Sequence, residues 1–333
     1  MTAGIVTMAH GGGGRLMHSL VREVFVAAFG ASADHDGAIL ELPAGRVATT
    51  TDGYVVRPMI FPGGDIGSLA VHGTLNDLAM CGARPISLAA SFIIEEGTAI
   101  DLLHRIAGSM ARAAAAAGVA IATGDTKVVE RGSGDGVYIT TSGVGVCEHP
   151  LTIHPRSMRD RDVVLLSGDI GRHGMAVMGA REHLAFESAI ESDSQCLWPA
   201  VRALLAAGVT VHCLRDLTRG GLATALVEFA QTAQLEIEVE EAVVPVLPSV
   251  RAACEVLGLD PLYVANEGRF AAVVPAHEAE TALHAMRATA EAEGAVVAGR
   301  VRAVRPGQVS LRTRIGTLRN LPMLSGEQLP RIC

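Results

Sequence analysis

The sequence predicts a two-domain protein of mixed class, an α/β unit followed by an α+β unit. Three observations point there. Apolar stretches of strand period alternate with stretches of helical period along most of the chain. The length, 333 residues, favours two domains over one. The alternation is interrupted once, near 150–161, where His149, Pro150, His154, Pro155 and the charged run Arg156–Asp162 break the pattern. The expected division is a flexible Gly-rich loop over 1–14, an N-terminal domain over 15–150, a C-terminal domain over 151–319 and a mobile tail over 320–333.

The first element is the loop Ala9-His10-Gly11-Gly12-Gly13-Gly14, whose bare backbone N–H groups suit either a linker or a wrap around phosphate oxygens. Leu16, Leu20, Val24 and Ala28 predict a helix stopped by Gly30. Strands are expected over Ala38–Leu42 and Arg46–Thr51, the second running into Asp52-Gly53. Phe61-Pro62-Gly63-Gly64-Asp65 breaks the chain and opens a helix near Ile66. From Ile66 to Ala83 the only Asp, Glu, Lys or Arg is Asp77, so this helix should be buried on all sides. A buried lone carboxylate is costly unless it is paired or ligates a cation, and Asn76 beside it offers a neutral ligand. A strand, Ser87–Ile94, ends at Glu95-Glu96-Gly97. Thr98 and Asp101 read as a capping box for a helix over Ala99–Ala117.

Val119–Val129 then reads as a strand whose only charges are Asp125 and Lys127. A strict two-residue period puts Ile121, Thr123, Asp125 and Lys127 on one face. The pair is either a structural ion pair or a metal ligand beside a phosphate-directed cation. Another strand covers Val137–Val146. The second half continues with a strand at Val163–Ser167, helices near 174–181 and 195–207, and a strand Val209–Leu214 ending at Asp216. Leu217-Thr218-Arg219-Gly220-Gly221 opens a helix through Gln231, and paired glycines there offer N–H groups to an anion. Asn266-Glu267-Gly268 precedes a strand Arg269–Val274. A helix over 277–292 and a strand over 295–301 complete the domain.

Composition narrows the function. A net charge of −8 argues against a nucleic-acid partner held by bulk charge. The six cysteines are scattered, with no C-x-x-C pair, so a zinc ribbon, a dithiol redox site and a disulfide framework are all unsupported. No signal peptide and no transmembrane-length apolar run is read, which leads to the expectation of a cytoplasmic protein without a membrane partner. Asp52, Asp77 and Asp125 are isolated carboxylates in apolar surroundings, suited to Mg²⁺ and nucleotide phosphates. Neither G-x-x-x-x-G-K-S/T nor G-x-G-x-x-G occurs. The residues alone thus reach a nucleoside triphosphate with Mg²⁺ on a non-Walker scaffold. They also show a terminal thiol, Cys333, on a tail punctuated by Pro322, Gly326 and Pro330 that could extend roughly 40 Å from Asn320.

In chain order, AHGGGG, FPGGDIG, GTLNDLA, GDTKVV, DLTRGGLA, NEG and the terminal PRIC make this sequence similar to the HypE family of NiFe-hydrogenase maturation factors, within the aminoimidazole-ribonucleotide-synthetase-like ATPases. The resemblance runs from about Met8 to Cys333, and the terminal Pro-Arg-x-Cys is its most specific part. It implies an N-terminal sheet that pairs across a homodimer, a C-terminal α+β domain, and ATP in the cleft beneath the Gly-rich loop. It also implies that HypF carbamoylates Cys333, that the group is dehydrated with ATP and Mg²⁺ to a thiocyanate, and that the cyanide passes to iron on a HypC–HypD pair. On this resemblance Asp52, Asp77 and Asp125 are expected at the metal. His10, Gly11, Gly12, Gly13, Gly14, Asp65, Asn76, Asp77, Thr126, Arg219 and Gly220 are expected at ATP. Cys333, Lys127 and Glu267 carry the chemistry. Asp52-Gly53-Tyr54 departs from the family's frequent Ser plus aromatic and leaves position 53 without a side-chain role. The rivals are a selenophosphate-synthetase-like phosphotransferase, disfavoured because MAHGGGG holds no Cys, and a non-catalytic carrier of the Cys-bound group.

Overall fold

A computed structural model describes residues 4–12, 14–30, 38, 40–182 and 190–323. The expectations for Gly13, Gly326, Pro330 and Cys333 lie outside the described residues. The chain begins with a 3-10 turn, Met8–Gly11, followed by α1 (Arg15–Leu20), a π-helical turn (Val21–Val26) and α2 (Ala27–Phe29). Gly30 ends this run with a left-handed φ of 66°. Leu20 and Val24 are buried as expected, whereas Leu16 is exposed and Phe25 joins the core beside Phe92. The wider π turn rotates the apolar face away from a strict 3.6 period.

The N-terminal half then forms β1 (Arg46–Tyr54), a short hairpin of β2 (Ile60–Phe61) and β3 (Gly64–Asp65), α3 (Ile66–Met80), β4 (Arg84–Glu95), α4 (Ile100–Ala116), β5 (Ala120–Val129) and β6 (Val137–Cys147). The sheet order is β1-β6-β4-β5, with β4 and β5 parallel across α4 and the other pairs antiparallel. Among the described residues of the expected strand Ala38–Leu42, which are 38 and 40–42, none lies in a strand. Leu40 and Leu42 are exposed, and among the described residues no strand pairs with the outer edge of β1. The capping box also fails: the Thr98 hydroxyl donates to the carbonyls of Glu95 and Gly136, and Ala99 occupies the N-cap without a side-chain bond.

The second half forms β7 (Val163–Leu166), α5 (Arg172–Arg181), α6 (Trp198–Ala206), β8 (Cys213–Asp216), α7 (Gly221–Ala233), β9 (Glu236–Glu240), α8 (Pro248–Leu257), β10 (Phe270–Val274), α9 (Ala279–Arg287), β11 (Val296–Arg302), β12 (Val309–Arg312) and β13 (Leu318–Asn320). Its sheet order is β13-β12-β9-β11-β7-β10-β8. The expected strand Val209–Leu214 starts only at Cys213. Thr210 spends its N–H and hydroxyl on the Glu278 carboxylate, and His212 bonds Asp162 at 2.7 Å. The helix expected over 277–292 splits, because Thr289 is extended and turns its hydroxyl back to the Met286 carbonyl.

Helix α3 is the element both halves share. Eleven of its fifteen residues are buried, which a helix covered on one side could not achieve. One side packs with α4 on the N-terminal sheet, while Ala79 belongs to the core of the second half. Asp65 caps its N-terminus, accepting from the N–H groups of Gly67 and Ser68 and from the Ser109 hydroxyl. The second half holds α3 with the segment 190–197, which carries no helix or strand. Leu197 donates its N–H to Asn76 Oδ1 at 2.7 Å, and Asn76 Nδ2 donates to the carbonyls of Gln195 and Glu267. His72 meets Ser194 at 2.9 Å, and Ser192 donates to the Pro62 carbonyl. Asn76→Ala should cost about 2–4 kcal/mol, since it strands a buried N–H and two carbonyls; denaturant unfolding within ±0.5 kcal/mol of wild type would refute the tie.

Candidate active site

A cleft of about 410 Å³ opens between β1, α3 and the turn from β8 into α7. The alternation of β1 sends Thr50, Asp52 and Tyr54 toward α3. Gly73 makes room there, because any Cβ would run into the Tyr54 hydroxyl. Thr50 Oγ1 donates to Asp77 Oδ2 at 2.8 Å and fixes the lone carboxylate of α3 at the cleft wall. Asp52 accepts the Gly53 N–H at 2.8 Å and lies 4.0 Å from the Arg219 guanidinium, which is mostly exposed. Glu267 closes the floor from the loop before β10. That loop is locked by Asn266, which accepts from the Gly171 N–H and donates to the carbonyls of Leu217 and Val264. The Asp193 carboxylate takes the N–H groups of Glu267 and Gly268, and a Cβ on Gly268 would strike the Asp193 backbone.

The electrostatics are unusual. Asp52, Asp77, Asp216 and Glu267 line one cleft with only Arg215 and Arg219 as cations, and Arg215 is already paired to Glu228 at 2.7 Å. Burial pushes the Asp77 carboxyl up, against the Thr50 hydrogen bond. Burial and then the Asp77 charge push Asp216 up to about 7. Glu267 is held well above the usual carboxylate range, first by burial and then by Asp216 and Asp193. Its Oε1 is buried and has no hydrogen-bond partner among the described residues. Tyr54 is raised by burial and by Asp52. Such a cleft favours protons or an added cation. Among the described residues no three His, Cys, Asp or Glu side chains already converge as a metal site.

The expected site residues divide into two groups. Asp52, Asp77, Arg219 and Glu267 meet in the cleft. Asp125 and Lys127 do not join them. They project, largely exposed and 4.0 Å apart, from the far edge strand β5. The register Gly53↔Thr140, Thr140↔Ser91, Ser91↔Asp125 puts Asp125 on the open face of the sheet, whereas Asp52, paired with buried Thr141, faces α3. Three strand spacings, about 14 Å, also separate the two edges. The strict period expected along β5 is broken by a bulge at Ala122, so Ile121 faces the core and Asp125 does not. The same bulge turns Thr126 to the buried face of the strand. Beside β5 lies the turn Met8–Gly11. Gly11 is required there, because a Cβ would meet Val128 at 2.9 Å. His10 Nδ1 accepts the Thr7 N–H, Gly12 donates to the Ala9 carbonyl, and Gly14 caps α1.

Three residues expected at the nucleotide also carry bonds within the fold. Asp65 is the α3 cap and Asn76 the tie to 190–197. Gly220 has a left-handed φ of 78°, and the N–H of Gly221 is spent on the Thr218 carbonyl, so the pair serves the tight entry to α7. Asp216 and Tyr54 were missed. The signal for Asp216 was available, since it heads the DLTRGG run at a strand end.

This chain of two sheets joined through an apolar helix matches the AIR synthase related proteins. The N-terminal domain model of that group matches residues 34–147 and its C-terminal domain model matches 160–312. A carbamoyl dehydratase HypE of Rhodobacter capsulatus is 52% identical over 333 residues, covering 98% of each chain. A hydrogenase maturation protein HypE solved in complex with ATP is 45% identical with a TM-score of 0.94, covering 98% of this chain and 99% of its own. The HypE chain of a HypE–HypF complex is 43% identical with a TM-score of 0.82, covering 92% and 100%. The chain belongs to the HypE family.

The raised Asp216 makes a pH-dependent prediction. Its folded value, about 7, lies above the ordinary unfolded carboxylate value near 4. Wild type therefore loses stability as pH rises between those values, and Asp216→Asn should not. The variant's advantage should grow from about pH 4, reach about 4 kcal/mol and level off above about pH 7. A difference independent of pH in denaturant unfolding would contradict the assignment.

Proposed function

We propose that this chain dehydrates an S-carbamoyl group on its Cys333 to S-cyanide at the expense of ATP, supplying the cyanide ligand for the iron of a NiFe-hydrogenase. The observation that carries the reading is Glu267, a buried carboxyl with a bare oxygen on the floor of a cleft rich in carboxylates. Its family membership and its likeness to the ATP-complexed HypE supply the reaction class. The thiocarboxamide must lose its oxygen and both nitrogen protons to become a nitrile. ATP supplies the phosphoryl group that turns the amide oxygen into a leaving group, and Mg²⁺ offsets the charge of the phosphates. The donor set fits a divalent cation: Asp52 and Asp77 are hard ligands in a cleft short of positive charge. Arg219 stands exposed at the mouth, where it can meet phosphate oxygens. In this proposal Glu267, whose Oε1 has no hydrogen-bond partner among the described residues, first gives up its own proton and then takes one from the amide nitrogen.

Asp125, Lys127 and the Gly-rich turn complete this site from a second copy in the same proposal. The N-terminal sheet has helices on one face only, and Val47 and Ile93 are exposed on the other. Packing two open faces gives a homodimer that carries the β5 edge of one copy toward the β1 edge of the other. It also supplies the burial a proton-accepting Lys127 requires. The division of labour is ATP binding and dimerisation in 15–150, support of the cleft floor in 151–319, and presentation of Cys333 by 320–333. HypF is the proposed carbamoyl donor, in keeping with the solved HypE–HypF complex, and a HypC–HypD pair the acceptor. The setting is cytoplasmic; among the described residues no helix is long and apolar enough to cross a membrane.

The C-terminal peptide should gain one carbamoyl group with HypF, carbamoyl phosphate and ATP, then lose water in an ATP-dependent step. Glu267→Gln should stall at the carbamoyl stage with turnover down about 100-fold or more, and Lys127→Ala should slow the same step. A mass change that survives Cys333→Ala would end the proposal, and rapid cyanide formation in the Lys127 variant would remove that residue. Ile93→Asp should shift sedimentation from dimer to monomer and cut turnover by at least about tenfold; a fully active monomer would exclude a shared site.

A further inference from the structure

A second cavity, of about 470 Å³, shares no lining residue with the cleft. It lies where the end of α4 and the start of β4 meet the first turn of α6 and the segment before it. Its floor is apolar, from Pro85, Ala113 and Ala117, and Trp198 forms one wall. Arg202 follows Trp198 by four residues and so stands on the same side of α6. Among the described residues the Arg202 guanidinium has no ion pair, and neither has the carboxylate of Glu291, which lines the same cavity. Arg84 is already held by Glu148 at 2.8 Å. Burial brings His72 down to about 4, so it adds no positive charge at neutral pH. The free chemistry of the cavity is therefore one cation, one anion and an indole.

We propose that this cavity is a second small-molecule site, built for a flat aromatic anion that also carries an N–H donor. Its ring lies against Trp198, its anionic group meets Arg202 and its donor meets Glu291. A ligand lacking either end leaves a charged group of the cavity wall unpaired, which sets the selectivity. The site also touches the catalytic floor. Gln195 lines the cavity, and its Nε2 donates to the carbonyls of Gly268 at 3.1 Å and Glu291 at 3.4 Å. Its own carbonyl is held by the Asn76 amide nitrogen, which also donates to the Glu267 carbonyl. Occupancy that shifts Gln195 therefore shifts the loop bearing Glu267.

Trp198 is the sole tryptophan in the chain, so its emission reports this cavity alone. The probe is 4-aminobenzoate, titrated into the full-length protein against benzoate, which lacks the donor, and aniline, which lacks the anion. Saturable quenching is expected with 4-aminobenzoate, and about tenfold or more weaker binding with either control. Arg202→Ala and Glu291→Gln should each weaken it by a similar factor. Gln195→Ala should keep the quenching but abolish any effect of the probe on ATP turnover. No saturable quenching at millimolar probe overturns the site, as does equal binding of benzoate or an unchanged affinity in both charge variants. A turnover effect that persists in Gln195→Ala overturns the coupling. The binding readout stands apart from the dehydratase reading, so either can fail without the other.

Discussion

The structure turns on the three hydrogen bonds of the Asn76 side chain. A helix apolar on every side can be buried between two sheets, but apolar contact alone does not set its rotation or its depth. Asn76 supplies that direction. Its oxygen takes the Leu197 N–H and its nitrogen gives to the carbonyls of Gln195 and Glu267. The next residue along the helix is Asp77, and the residue at the other end of one of those bonds is Glu267. The tie therefore fixes, across the junction of the two halves, the separation of two cleft carboxylates.

Placing four carboxylates around one cleft costs stability, and the second half of the molecule bears much of that cost. Glu267 keeps its backbone in place through the Asp193 carboxylate and Asn266, both buried. Its side chain is left with a bare oxygen. Asp193 also adds negative charge nearby, which with burial keeps the Glu267 carboxyl raised. A neutral carboxylic acid is tolerated in such a place far better than a carboxylate. The cleft is thus least strained when it holds protons or a cation, a state that ligand binding would supply. Strain concentrated at one site while the surrounding backbone is fully bonded is the usual mark of a functional centre.

Much of this was legible in the residues. Asp77 stood out because it is the only charge in a long apolar helix, and burial followed from that fact. The two series of strands and helices, and the break near 150–161, could be read from period and punctuation. What could not be read was phase. A single extra residue at Ala122 exchanges the faces of β5, placing Thr126 inside and Asp125 outside. No local signal in an apolar Ala-Ile-Ala-Thr run marks such a bulge. Asn76, Asp65 and Gly220 show their bonds within the fold only in the structure, because ligand loops and helix caps use the same residue types and the partners lie far apart in sequence. Asp216 was missed for the opposite reason: its motif was seen, but the glycines after it drew the chemistry.

The position of Asp125 and Lys127 is then a constraint on assembly. In one chain they sit on the opposite edge and the opposite face of the sheet from Asp52, beside the Gly-rich turn. Rotating side chains cannot close a gap of about three strand spacings through a packed sheet. If the two groups act on one nucleotide, the missing members come from another copy, which the proposed homodimer seats on the open face with exposed Val47 and Ile93. The sheet order makes the geometry self-consistent, since a two-fold axis over the middle strands β6 and β4 exchanges the β1 and β5 edges. In the proposed homodimer the acidic cleft of each chain is joined by the Gly-rich rim of the other. On this view a chain that folds but does not pair keeps Asp52, Asp77 and Glu267 in place and still lacks half of what the chemistry needs.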